Sequence, residues 1–125
     1  MFQLEFYETE DQKTPVSDFL DSLDAKMSAK MVGLMEILEE KGNELRMPYS
    51  QHLEDGIFEL RCKFGSNITR ALYFFFSGKR IVVTNGFVKK TQKTPMGEIR
   101  IAKERRADWI KRYGQDGAES GKESR

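Results

Sequence analysis

Apolar and polar positions alternate in the segment FQLEFY at residues 2–7, the period of a half-buried β-strand. The period then lengthens. Thr14 and Pro15 supply a helix cap and a first-turn proline, and Val16, Phe19, Leu20 and Leu23 fall on one face of a short helix. Met27, Met31, Leu34, Met35 and Leu38 continue that spacing over residues 25–41, and Gly42 offers a C-cap. Methionine fills irregular cores, so this stripe reads as core in preference to a ligand groove.

After a polar connection, residues 57–64, 68–76 and 79–88 read as three strands rich in aromatic and β-branched side chains. The joints GSN and SG are short and turn-forming, which predicts an antiparallel meander. Thr94 and Pro95 repeat the helix-start signal, and residues 96–112 form a last helix with Ile99, Ala102 and Trp109 on its apolar side. The segment GQDGAESGKESR, residues 114–125, has no apolar side chain beyond alanine and reads as a disordered tail after a domain of residues 1–113. The expected order is β-α-α-β-β-β-α: an α+β domain with helices packed on an antiparallel meander sheet. No internal repeat is present.

Composition narrows the class. A chain of 125 residues fits one domain that buries an adequate core without metal or disulfide staples. Its one cysteine, Cys62, excludes an intramolecular disulfide and a cysteine-based zinc cluster, which points to a reducing compartment. With neither a secretory pattern at the N-terminus nor a long apolar run, the expectation is a soluble, unprocessed, cytoplasmic protein without a membrane partner.

The net charge of +1 conceals an asymmetry: residues 1–55 carry −8, residues 56–112 carry +10, and the remainder −1. The second half therefore meets a polyanion, or the halves neutralise each other across one fold. Charge alone does not choose.

Strand alternation places the charges. In residues 57–64, Phe58, Leu60, Cys62 and Phe64 face one way and Glu59, Arg61 and Lys63 the other. The next strand is apolar on both faces, as a central strand is, yet it contains Arg70. An unpaired buried guanidinium is costly, so a carboxylate such as Glu59 pairs with it or its head reaches a face that receives phosphate. The segment GFVKKTQKTP, residues 86–95, adds Lys89, Lys90 and Lys93 just before a helix start. Alone it is a solvated lysine loop; with Arg61 and Arg70 on neighbouring strands, basic groups from three consecutive elements converge.

These segments, LEDGIFELRCKFGSNITRALYFFF and GFVKKTQKTPMGEIRIAKERR, resemble the phage-derived Gp49-like, or HigB-like, branch of the RelE/ParE toxin superfamily over nearly all of residues 1–112. The resemblance implies a RelE-like toxin that enters the ribosome, cleaves translated mRNA and is neutralised by a helix-turn-helix antitoxin of the HigA type. Cleavage by the RNA's own 2′-hydroxyl needs a proton acceptor, charge stabilisation at phosphorus and help for the departing oxygen. Two-histidine chemistry is excluded, because His52 is the only histidine and precedes the sheet.

Arg70 is then the candidate phosphate clamp with Arg61 as its partner, and Lys90 the candidate catalytic lysine. Lys63, Lys89 and Lys93 are candidate RNA contacts. Many RelE-type relatives carry lysine where this chain has Glu59, and some carry tyrosine near Met96, so the acid and base stay open. No metal-spaced cluster or nucleotide loop occurs, and no cofactor is implied. The competing readings are a ParE-like inhibitor of gyrase and a non-catalytic RNA- or protein-binding domain.

Overall fold

The period-two segments pair into one sheet in the computed structural model, which describes residues 1–89 and 93–114. The elements run β1 (Gln3–Phe6), α1 (Pro15–Ser22), α2 (Ala25–Lys41), a 3-10 turn (Gly42–Glu44), β2 (Ser50–Glu54), β3 (Ile57–Phe64), β4 (Asn67–Phe76), β5 (Arg80–Lys89) and α3 (Met96–Trp109), which continues into a π turn (Ile110–Gly114). Strand order is β1-β5-β4-β3-β2. The architecture is α+β, as expected, but the sheet departs from the predicted one in two respects.

First, the connection read as polar loop contains β2, so four strands separate α2 from α3. Asp55 and Gly56, both at positive φ (52° and 77°), make the two-residue turn that joins β2 to β3. Second, β1 runs parallel to β5, with Gln3 opposite Arg80 and Phe6 opposite Val83, which makes the sheet mixed. The meander from β2 to β5 is antiparallel throughout.

Helices cover both faces. Val16 and Leu20 of α1 and Met31, Leu34, Met35 and Leu38 of α2 pack on Leu60, Ala71, Tyr73, Ile81 and Val83. The methionine stripe is core, as its spacing predicts. Asp24 caps α2 by accepting from the Met27 N–H at 2.8 Å. Gly42 ends the helix at φ 54°, where an added Cβ would overlap the Phe2 ring. On the opposite face Ile57, Leu72, Phe74 and Val82 pack against Ala102 and Trp109 of α3. β4, central in the sheet, is thus apolar on both sides.

A bulge in β5 lets that strand serve both cores. Leu72 is opposite Asn85 but Tyr73 is opposite Val83, leaving Thr84 as the extra residue. Before the bulge Ile81 and Val83 face α1 and α2; after it Asn85, Phe87 and Lys89 share the α3 face. Gly86 lies against α1, where a Cβ would come within 2.5 Å of the Phe19 ring.

Charged side chains tie α3 down. Asp55 pairs with Arg106 at 2.9 Å and Glu54 with Lys103, and Glu5, paired with Arg80 at 3.1 Å, accepts from the Trp109 indole N–H at 3.1 Å. The Tyr7 hydroxyl donates to Asp108 at 2.6 Å, and that hydrogen bond, with Arg112, holds the Asp108 carboxyl below its ordinary pKa. Part of the charge asymmetry is therefore mutual neutralisation between the two halves. No helix among the described residues is long and apolar enough to cross a membrane.

Candidate nucleic-acid interface

Cross-strand register arranges the α3 face in rows. Glu59, Leu72 and Asn85 form one row, Arg61, Arg70 and Phe87 the next, and Lys63, Ile68 and Lys89 the third. α3 begins at Met96 over the first of these rows, because Asn85 Nδ2 donates to the Glu98 carbonyl (3.3 Å) and carboxylate (2.9 Å). The rows then emerge from under the helix. Lys63, Lys89 and Lys93 are exposed, Arg61 is half-buried and Arg70 is fully buried.

Glu59 is the hub. Its side chain has no solvent exposure, with Oε1 3.3 Å from Arg61 Nε and Oε2 3.6 Å from Arg70 Nη1. The Thr94 hydroxyl donates to Oε2 and accepts from Arg70 Nη1 at 3.3 Å. One carboxylate thus faces two guanidiniums, and the cluster keeps a net positive charge. Burial lowers the Arg70 pKa, Glu59 opposes that shift, and Arg61 adds to it. An arginine remains cationic in such surroundings.

The expected ion pair between Glu59 and Arg70 is present, so the alternatives posed for Arg70 resolve in part: its charge is met by a carboxylate, and its side chain lies sealed beneath the surface. Arg61 is the arginine whose head approaches solvent. Thr94 does not cap α3; Pro95 holds the N-cap position without a side-chain hydrogen bond, and the Thr94 hydroxyl turns to Glu59 instead. Nothing local in the sequence signals that long-range contact. His52 sits in β2, where its Nε2 accepts from the Gly56 N–H at 3.1 Å and its ring lies edge-on to Phe58, a structural role.

Among the described residues, Lys63, Lys89 and Lys93 make no ion pair, in contrast with Lys103 and Arg106 of α3 and Arg112 of the π turn. The candidate catalytic Lys90 lies outside the described residues, as do residues 115–125 of the proposed tail; Gly114, placed in the tail by sequence, closes the π turn and is buried. No group of three or more His, Cys, Asp or Glu side chains gathers among the described residues.

A family comparison places the chain. The model of the family described as Phage derived protein Gp49-like matches residues 18–107, and the chain belongs to that family, a RelE/HigB-like toxin family. The comparison with curated proteins gives no match.

Proposed function

We propose that this protein is the toxin of a type II toxin–antitoxin pair, a ribosome-dependent mRNA endoribonuclease that inhibits translation. The observation that carries the reading is the row structure: Arg61 beside Arg70 over the buried Glu59, next to a row ended by Lys63 and Lys89. Three exposed lysines without acidic partners among the described residues, beside an arginine oriented by a buried carboxylate, suit a phosphodiester backbone. A RelE-like topology, with β1 alongside β5, belongs to the same proposal.

In the reaction the 2′-hydroxyl loses its proton and attacks the adjacent phosphorus, the bond to the 5′-oxygen breaks, and that oxygen takes up a proton. Arg61 holds the phosphate oxygens and meets the charge that develops on them. Arg70 works from behind as a positioning residue: it fixes Glu59, which fixes Arg61. Lys63, Lys89 and Lys93 guide the backbone, and Lys90 is the proposed proton-transfer or electrostatic lysine. The partner is a helix-turn-helix, HigA-like antitoxin that neutralises this activity, and the site of action is the ribosome in the cytoplasm.

The test is induced expression followed by mapping of mRNA 5′ ends. New ends within translated frames, lost in Arg61→Ala while the variant still unfolds cooperatively, are expected. Growth inhibition with intact mRNA in the wild type overturns the nuclease reading and favours a target such as gyrase.

A further inference from the structure

A groove between α2 and the outer edge of β3 takes no part in the readings above. It encloses about 470 Å³, with Leu34, Ile37 and Cys62 as an apolar floor and Tyr49 as a wall. Arg61 and Lys63 form its rim, and with Ile68 they also line a hollow of about 180 Å³ on the basic face. The two spaces share Pro48, Arg61 and Lys63 as a common wall at the β3 edge.

That edge is open. The β2–β3 register ends with Ser50 opposite Leu60, after which the Arg61 N–H donates to the Tyr49 carbonyl at 2.8 Å. Beyond it no described strand pairs with this side of β3. Hydrogen-bonding direction repeats every two residues, so the backbone N–H and C=O of Lys63 point towards the groove. Tyr49 is 53% exposed and Ile37 42% exposed. Gly33 lies in the middle of α2 with nothing within 4 Å of where its Cβ would stand. A glycine there weakens the helix, and no contact within the fold explains it.

We propose that this groove is the base subsite for the nucleotide adjoining the phosphate held by Arg61 and Lys63. The inference rests on the RNA reading of the basic face and deepens it. A nucleobase has an apolar face for the floor and the Tyr49 ring, and a polar rim for the Lys63 backbone groups. The ribose-phosphate then turns around the strand edge onto the cationic row. A purely apolar occupant leaves the Lys63 backbone groups unsatisfied. A folded partner needs on the order of 800 Å² of its own surface, and the exposed large apolar side chains lining this space are only Ile37 and Tyr49.

The experiment uses the full chain and a short unstructured oligoribonucleotide, alongside the same oligomer with an abasic nucleotide placed at successive positions. Two variants interrogate the groove: Tyr49→Ala removes the ring, and Gly33→Leu fills the space from a helical position with room for a side chain. Both are expected to weaken binding about fivefold to a hundredfold, the range of one base–aromatic stack, with the salt dependence unchanged. One abasic position should weaken wild type equally and leave the variants unaffected. If both variants bind like wild type while Arg61→Ala binds weakly, the base subsite is wrong and the phosphate reading stands. If wild type does not bind RNA, both readings fall. If the variants keep RNA affinity but lose a copurifying antitoxin, the groove is a protein site and the proposal is overturned.

Discussion

Arg61 and Arg70 are direct cross-strand partners, and the carboxylate of Glu59 lies within ion-pair distance of both, at 3.3 and 3.6 Å. Two like charges side by side in a sheet repel, so the carboxylate is what makes the pair tolerable. Removing it by Glu59→Ala is expected to reduce the unfolding free energy by about 3 kcal/mol, the cost of leaving buried charge without its partner. Urea unfolding measures this; a loss under about 1 kcal/mol contradicts the account.

The two arginines should separate in their effects. Arg61, whose head approaches solvent, is expected to lose less on substitution by alanine, about 1–2 kcal/mol for the cation taken from Glu59, while cleavage collapses. Arg70, fully buried, is expected to lose about 3 kcal/mol on the same change, because Glu59 loses one of its cations and a cavity opens. Arg61→Lys should not rescue cleavage if the fork geometry matters. Equal stability loss in both alanine variants would sink this division of roles.

Much of this arrangement was legible in the sequence. Helix α2 occupies the predicted residues 25–41 and β3 the predicted 57–64, because methionine spacing and strict alternation have one reading each. The alternation also placed Glu59, Arg61 and Lys63 on one face. β2 was missed because His52 and Gln51 look like loop, although Asp55-Gly56 was the available hairpin signal. The bulge at Thr84 was not legible: unbroken alternation would have put Val83 and Ile81 on the same face as Phe87. The bond between Thr94 and Glu59 joins residues distant in sequence, and only the closed sheet brings them together.

Lys63, Lys89 and Lys93 lie exposed at the margin of the face, so alanine at each should leave the melting temperature unaltered. Each loss of a phosphate contact is expected to lower the slope of log affinity against log salt by about 0.7, the single-strand value. Oligoribonucleotide titrations across a salt series decide it; an unchanged slope removes that lysine from the RNA path.

Burial of Tyr73 raises its hydroxyl pKa to about 12, against a smaller lowering by the hydrogen bond with Ser50. The folded value exceeds the unfolded 10.0, so the native state binds the proton more tightly. Stability from this group is complete below about pH 10 and drains away as the pH rises towards 12, by about 2 to 3 kcal/mol in all. Tyr73→Phe should flatten this alkaline decline, measured as unfolding midpoint against pH. An unaltered slope would show that another group governs it.

Gly33→Ala should stabilise the fold by about 0.5–1 kcal/mol, since the residue is helical and the space beside it is open. Thermal unfolding gives the answer, and a destabilised variant would reveal crowding at that position.

Pairing the first strand with the last has a consequence for biosynthesis. β1 is made well before its neighbour β5, and Arg61, Arg70 and Lys89 lie on three strands that close in succession. A nascent chain halted before β5 holds the N-terminal helices without the strand that joins β1 to the rest of the sheet. Such a chain lacks the assembled cationic rows. The rows that carry Arg61, Arg70 and Lys89 come together only after β5 has been made.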